Sequence, residues 1–228
     1  MHFARCRPRS DKVLVLQVSS AVLLLQPLHT STMKTVLKLL TIALLGASLI
    51  ACKDSPAPAA SSAPAAQAVS VEAIASQAQG FSVGSEMSVR RVFVFFDPQC
   101  PHCAALWQAA KPLKSQARFI WIPVGLINAN SVAQGATILA AADPVAAMDQ
   151  HEASVMAKQG GITAQGNIDE QKGWVNANTG LMNAYRFNGV PVVVAKHAVT
   201  GELVVREGSM PTATLATILG LKVPTDNN

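Results

Sequence analysis

Over most of its length the sequence lacks an excess of charge of either sign. Its 228 residues include 18 Lys and Arg against 13 Asp and Glu, but six of the basic residues precede Cys52, and Asp11 is the one acidic residue that does. From Cys52 onward the two signs balance, so the chain has no surplus charge to spread over a phosphate backbone, which excludes a nucleic-acid partner. The basic pI of about 9.2 therefore indicates targeting.

Cysteine is scarce as well, with four residues in the chain. Cys6 and Cys52 fall in the N-terminal stretch, which leaves Cys100 and Cys103 for the rest. Two cysteines three positions apart exclude a disulfide framework that joins distant elements. The content of 50% hydrophobic and 14% charged residues excludes a disordered chain, and the length predicts one or two domains without internal repeats.

The N-terminal stretch has the layout of a secretory signal. Lys34 and Lys38 follow Met33, and the 13 residues from 39 to 51 carry no charge. At about 1.5 Å per residue such a run spans roughly 20 Å, too short for a transmembrane helix. We assign residues 1–51 as a signal region and expect translation to start at Met33, in which case Cys6 is absent from the cell.

The signal ends in Leu-Ile-Ala-Cys, which resembles a bacterial lipobox. By that resemblance Cys52 becomes the lipidated mature N-terminus; the alternative is a plain secretory signal with an incidental cysteine. Residues 53–70 are 14 of 18 Ala, Pro or Ser and predict an extended tether of up to roughly 56 Å. We expect a lipidated Cys52 with its tether over 52–70, and one globular domain over 71–228.

The order of predicted elements in this domain indicates an α/β fold. The apolar run over 91–96 predicts a strand in the middle of a sheet, and Pro101 begins a helix that Pro112 should kink. Asp143 and Pro144 predict a helix start within a block of two short helices. The predicted strands cover residues 91–96, 118–127, 190–195 and 202–206, and the helices cover 100–117, two stretches within 130–160, 169–187 and 210–220.

The chemistry is concentrated in the motif Cys100-Pro101-His102-Cys103, where the buried strand turns into a helix. The helix N-terminus favours thiolate, so we assign Cys100 as the exposed, attacking thiol and Cys103 as the thiol that resolves the mixed disulfide. His102 adds a positive charge or a donor that tunes the pair toward oxidation, and Pro101 stiffens the turn. The redox-active disulfide then needs no further cofactor.

Other interpretations of the motif lead to different predictions. A C-x-x-C pair can form half of a zinc site, but the domain offers no further cysteine, and we predict no metal. Covalent haem needs a histidine after the second cysteine, where Ala104 stands. A lipoprotein handling Cu(I) or zinc through both thiols and His102 is the alternative of another class. A redox-silent chaperone would keep full activity without Cys100.

Two further features bear on the site. Pro191 opens the third predicted strand beside the start of the active-site helix and, if its bond to Val190 is cis, presents a backbone edge to an incoming peptide. Asp97 lies three residues before Cys100. It could accept a proton from Cys103 through water, or simply cap the turn.

Residues 92–107 (VFVFFDPQCPHCAALW) and 188–194 (NGVPVVV) resemble the catalytic domain of periplasmic thiol:disulfide interchange proteins of the DsbG and DsbC type. The similarity runs through most of 80–222. It implies a thioredoxin fold with a helical insertion, its central mixed sheet flanked by helices. It also implies that Pro191 is a cis-proline opposite Cys100, with Val190 and Pro191 binding substrate.

The resemblance implies an enzyme that exchanges disulfides with exported, cysteine-containing proteins, or reduces their oxidised cysteines, in the periplasm. The sequence departs from that type in carrying a tether where the type has a dimerisation domain, and Val190 where Thr is usual. The C-P-H-C motif with Val before the cis-proline is similar to the dithiol oxidase DsbA, which is the alternative. A DsbB-like oxidase or a DsbD-like reductant of the membrane would be the redox partner, and Cys52 the membrane anchor.

Overall fold

Five strands form one mixed sheet in a computed structural model that describes residues 66–225 of the chain. The signal region, Cys52 and most of the tether lie outside the described residues. No helix within 66–225 combines the length and apolarity that crossing a bilayer requires. The elements are α1 (Val71–Gln77), β1 (Phe81–Gly84), β2 (Arg91–Phe96), α2 (Pro101–Ala110), β3 (Arg118–Pro123), α3 (Ala129–Ala140), α4 (Pro144–Met156), α5 (Asp169–Ala184), β4 (Val192–Lys196), β5 (Leu203–Glu207) and α6 (Thr212–Leu219).

The sheet runs in the order β1-β3-β2-β4-β5, so strand β2 is at its centre, as the apolar run of that strand predicts. It pairs in parallel with β3, with Val92 opposite Phe119, and antiparallel with β4, with Val92 opposite Ala195. All of its residues except Arg91 are buried. A strand covered on both faces explains why its sequence is continuously apolar rather than alternating.

The two faces of β2 belong to two separate apolar clusters, because successive side chains of a strand point in opposite directions. Val92, Val94 and Phe96 pack with α2, α6 and the buried Met148 of α4. Phe93 and Phe95 pack with α1 and α5 on the other face. The sheet is therefore a middle layer with helices on both sides, and the α/β fold with flanking helices is confirmed.

Several predicted boundaries differ from the structure. Helix α2 ends at Ala110 rather than continuing to residue 117 with a kink, since Pro112 lacks an N–H and its ring obstructs the preceding turn, so a 3₁₀ turn over Lys111–Leu113 follows. Strand β3 ends at Pro123, and helix α5 ends at Ala184, just before Arg186 adopts a left-handed φ of 56°. Helix α1 and strand β1 were not predicted, because both are short.

The inserted helical block between β3 and α5 is confirmed as two helices. Asp143 caps α4 as predicted, accepting hydrogen bonds from the backbone N–H groups of Val145 and Ala146 at 3.0 Å each. A capping box of Asn128 and Ser131 begins α3. Helix α4 packs against α2, so the insertion lies beside the start of the helix that carries both cysteines.

Candidate redox site at the start of helix α2

Both cysteines lie where β2 passes into α2. Cys100 occupies the N-cap position with an extended backbone, Pro101 is the first helical residue, and Cys103 follows one turn later. Both thiols are free in this structure. Only 4% of the Cys100 surface and none of the Cys103 surface is exposed. The expectation of an exposed Cys100 is therefore wrong, because Val190 packs against the cluster that contains it.

The pKa of the Cys100 thiol is lowered to about 6. The largest cause is a hydrogen bond from the Cys103 thiol, opposed by partial burial and followed by the backbone N–H groups of Cys103 and His102 and by the His102 charge. Unpaired N–H groups at a helix start favour an anion. Because this pKa lies below neutrality, Cys100 is mainly a thiolate at pH 7.

The second cysteine has the opposite environment. Burial raises the pKa of Cys103 well above its usual value, and its hydrogen bond to the Cys100 sulfur and the charges of Cys100 and Glu152 add to this effect. Cys103 is therefore a thiol at neutral pH while Cys100 is a thiolate. This asymmetry gives one nucleophile and one reserve thiol within a single helical turn.

The other two residues of the motif have different surroundings. Pro101 and His102 are both exposed. The Nδ1 atom of His102 lies 3.5 Å from the hydroxyl of Ser209, which follows β5. His102 thus lies at the rim of the site, where its ring is exposed and its charge helps to lower the pKa of Cys100.

The segment that begins β4 closes the site from the other side. The Val190–Pro191 peptide bond is cis, and the Cys100 sulfur lies 3.7 Å from the Val190 carbonyl oxygen, to which the protonated thiol donates. The N–H of Gly208 donates to the Pro191 carbonyl at 2.8 Å and ties this segment to the end of β5. The structure therefore brings Val190 and Pro191 together with Cys100, 90 residues away in sequence.

Asp97 has no exposed surface, and both of its carboxylate oxygens are engaged. One accepts from the N–H of Gln99 at 2.8 Å and from the Ser131 hydroxyl at 2.7 Å, and the other from the N–H groups of Leu126 and Ile127 at 2.7 and 2.9 Å. The capping bond that the sequence suggests is thus present. The other three bonds fasten the chain after β3, which explains why that strand ends before residue 127.

The inserted helices hold the loop before Cys100 through His151. Its Nε2 donates to the Pro98 carbonyl at 2.6 Å, and its Nδ1 accepts from the N–H of Ile162 at 3.1 Å. Burial lowers the pKa of His151, so the ring is neutral and uses both nitrogens in these two bonds. Gln99 adds a second connection, because its side chain donates to Gln134 and to the Gly160 carbonyl.

Glu152 is the residue of the site that sequence reasoning missed. Its side chain is fully buried, and neither carboxyl oxygen has a hydrogen-bond partner. Burial raises its pKa to about 9, with the charges of Cys100 and Asp97 adding to the effect. One signal was available: His151 and Glu152 lie three and four residues after the buried Met148, on the same face of α4.

Metal ligands other than the cysteine pair are sparse near this site. Within the residues that the structure describes, no cluster of three or more His, Cys, Asp or Glu side chains could hold a metal ion. Cys100 and Cys103 are therefore two ligands without a third in this conformation.

Two curated proteins resemble part of the chain. DsbG of Pseudomonas aeruginosa, a thiol:disulfide interchange protein, is 42% identical over 67 residues, which are 28% of this chain and 25% of DsbG. DsbG of Escherichia coli is 33% identical over 104 residues, which are 45% of this chain and 42% of that protein. The chain thus matches less than half the length of these relatives. No protein-family model matches it.

Solved structures resemble the fold. The catalytic domain of Proteus mirabilis ScsC superposes with a TM-score of 0.50 at 17% identity, covering 65% of this chain and 96% of that domain. A linker-deletion mutant of the same protein gives 0.50 at 18% identity, over 65% of this chain and 80% of that one. At this identity the likeness concerns the fold alone. The described part of this chain is therefore a thioredoxin-fold domain that resembles the DsbG type of thiol:disulfide interchange protein in sequence.

Proposed function

We propose that this protein is a thiol:disulfide oxidoreductase that exchanges disulfides with cysteine-containing exported proteins. The observation that carries the proposal is the pairing of a Cys100 thiol of pKa about 6 with a buried Cys103 of strongly raised pKa. A stable thiolate beside a protonated reserve thiol is the arrangement that disulfide exchange requires. The partial similarity to DsbG supports the same activity.

The reaction proceeds through a mixed disulfide. In the oxidised protein, a client thiolate attacks the Cys100 sulfur, and the bond between Cys100 and Cys103 breaks. A second client thiolate then attacks the client sulfur, so that Cys100 leaves as a thiolate and the client is oxidised by two electrons. We expect Val190 and Pro191 to contact the client chain during both steps, because Val190 lies beside Cys100.

The low pKa of Cys100 favours the oxidising direction. A thiolate that the fold stabilises makes the reduced pair more stable, which makes the disulfide a stronger oxidant, as in the DsbA-like alternative. A protein working in this direction needs a membrane oxidase of the DsbB kind to restore its disulfide. A DsbD-like reductant would serve the opposite direction, in which Cys100 attacks client disulfides or oxidised cysteines.

The equilibrium of the cysteine pair with glutathione tests the activity and its direction. The sample is the full chain with Cys6→Ser and Cys52→Ser, so that only Cys100 and Cys103 react. We expect a reduction potential nearer to about −120 mV than to about −220 mV, and oxidation of reduced ribonuclease that Cys100→Ser abolishes. A potential below about −220 mV would overturn the oxidising direction, and a Cys100→Ser variant with full activity would overturn the whole proposal.

The cellular location belongs to the same proposal. The signal region and the similarity to DsbG support export to the periplasm, where disulfides persist. Lipidation of Cys52 would then anchor the domain to a membrane through its tether. The anchor would keep the protein close to a membrane redox partner while the tether lets it reach clients.

A further inference from the structure

Leu126 and Ile127, in the loop that follows β3, form an exposed apolar pair. The exposed fractions are 42% for Leu126 and 49% for Ile127. A single exposed leucine needs no explanation, but here a buried carboxylate fixes the backbone of two adjacent apolar residues. Asp97, which has no exposed surface, accepts from their N–H groups at 2.7 and 2.9 Å. The loop therefore presents the apolar pair to solvent on a fixed backbone.

The apolar pair lies at the same edge of the sheet as the reactive cysteine. Strands β2 and β3 are parallel, with Phe96 opposite Pro123, so the segments that follow them leave the sheet side by side. Strand β4 is antiparallel to β2, so it begins at this edge. In the order β3-β2-β4, the segment that leads to Cys100 therefore lies between the apolar pair and the Val190–Pro191 segment.

Hydrogen bonds limit the distance between the apolar pair and the reactive cysteine. One oxygen of Asp97 accepts from the N–H of Leu126 at 2.7 Å, and the other accepts from the N–H of Gln99 at 2.8 Å. These two nitrogens are therefore at most about 8 Å apart, and Gln99 directly precedes Cys100. The side chain of Asn128 also donates to that of Gln99 at 3.1 Å. An extended chain advances about 3.3–3.6 Å per residue, so a client held at its cysteine can reach the apolar pair within two or three residues.

Charge has little part in recognition at this edge of the sheet. Besides the two cysteines, the segments 98–110, 124–130 and 187–195 contain one ionisable side chain, that of His102. A charged client segment therefore finds no more than one ionisable partner in these segments, whereas the apolar pair and the half-buried Val190 offer apolar surface. Protein interfaces whose centres are poor in charge bind through apolar and aromatic side chains.

We propose that Leu126 and Ile127 bind a large apolar side chain of the client, two or three residues from the client cysteine. The inference rests on the proposed function and names the class of cysteine on which that function acts. In a folded protein such a side chain is ordinarily buried, so the favoured client is an exported chain that has not finished folding.

The step that this contact accelerates is the formation of the mixed disulfide. The client thiolate forms a bond to the Cys100 sulfur, and the electron pair of the old disulfide bond passes to the Cys103 sulfur, with no other reactant. The apolar pair lowers the barrier because the client side chain leaves water as the client cysteine approaches, and the backbone that receives it is already fixed.

The test compares the rates at which two single-cysteine peptides reduce the disulfide of the full chain with Cys6→Ser and Cys52→Ser. One peptide carries leucine at the second and third positions on either side of its cysteine, and the other carries serine at the same positions. Each rate is divided by the concentration of peptide thiolate, so that differences in thiol ionisation are removed. With the apolar pair intact, the leucine peptide should react about tenfold faster.

Replacing the apolar pair should remove this preference. In Leu126→Ser/Ile127→Ser the two peptides should react within about twofold of each other, because the apolar surface is gone. Leu126→Met/Ile127→Met keeps apolar side chains of similar size and should retain the preference. The matched control is Val199→Ser/Leu203→Ser, two exposed apolar residues at the opposite end of β4 and β5. This control should show the wild-type preference.

Four results would overturn the inference. They are no preference in the wild type, a preference that survives in the serine variant, an equal loss in the control at Val199 and Leu203, and a loss in the methionine variant. The last result would show that the preference follows the structure of the loop rather than its apolar surface. Failure of glutathione to reduce the wild-type disulfide at all would instead overturn the proposed function.

Discussion

At the scale of single residues, the two cysteines differ because each one sets the other's ionisation. The Cys103 thiol donates to the Cys100 sulfur, which lowers the pKa of Cys100 and raises that of Cys103. The direction follows from position: Cys100 occupies the N-cap position, where the backbone N–H groups of Cys103 and His102 help to lower its pKa, whereas Cys103 lies one turn inside with no exposed surface. The position of the helix start therefore decides which of the two cysteines is the attacking thiol.

Replacing Cys103, whose thiol donates a hydrogen bond to the Cys100 sulfur, should raise the pKa of Cys100. In Cys103→Ala the strongest stabilising hydrogen bond is gone, so the pKa should move from about 6 toward the usual value of a thiol. Cys103→Ser keeps a hydroxyl that can donate and should stay closer to wild type. The pH dependence of Cys100 alkylation by iodoacetamide measures the pKa of Cys100 in both variants. We expect the midpoints of the two variants to differ by roughly one pH unit. Equal midpoints in Ala and Ser would show that Cys103 is not the main cause.

At the scale of elements, the inserted helices act as a support for the active-site loop. Helix α4 supplies His151, which bonds the carbonyl of Pro98, and helix α3 supplies Gln134, which accepts from Gln99. Asp97 links the same loop to the start of α3 through Ser131. The three residues between β2 and the first cysteine are therefore fixed by partners in the insertion.

Two adjacent glycines allow this support to be tested. Gly160 and Gly161 have nearly identical positive φ values of 85° and 86°, so an alanine pays a similar backbone cost of about 1 kcal/mol at either position. A Cβ at Gly160 meets nothing within 4 Å, whereas one at Gly161 collides with the ring of His151. Gly161→Ala should therefore be less stable than Gly160→Ala by roughly another 1–2 kcal/mol in urea unfolding.

The same two glycine variants also test whether His151 holds the loop before Cys100. Displacement of His151 in Gly161→Ala should loosen the Pro98 carbonyl and change the rate of Cys100 alkylation, while Gly160→Ala should alkylate at the wild-type rate. Equal stability and equal alkylation rates in the two variants would show that His151 does not hold the loop.

At the scale of the whole molecule, we expect the N-terminal segments to decide where the redox domain works. The charge of the chain balances from Cys52 onward, so its attachment to a membrane would depend on a lipid rather than on basic patches. The tether between Cys52 and the domain has the composition of a semi-rigid spacer.

Cys52→Ser should release the protein from membranes. If Cys52 carries the lipid, a clickable fatty-acid label should be incorporated into the wild-type protein in a bacterial host and lost in Cys52→Ser, with the protein moving to the soluble fraction. Cys6→Ser is the matched control and should change nothing, because translation is expected to start at Met33. Mature protein that retains residues before Cys52 would contradict lipidation.

The sequence by itself determined the fold class, the central strand and the cysteine motif, because these depend on local patterns. A continuous apolar run predicts a strand covered on both faces, and Pro101 after Cys100 predicts a helix start. The predicted ends of helices and strands were less accurate where distant groups decide them. Strand β3 is an example, because the Asp97 carboxylate draws the chain away from the sheet after this strand.

Only the tertiary structure decided how the site is completed. The burial of Cys100 by Val190, three of the four hydrogen bonds to Asp97 and the bond between His151 and Pro98 all join groups more than 25 residues apart in sequence. Glu152 is the clearest case, since a glutamate in a helix is ordinarily solvated, and its pKa here is raised by the removal of water and by the charges of Cys100 and Asp97. Desolvation depends on everything packed around a group, which is why the packed fold and not the local sequence determines it.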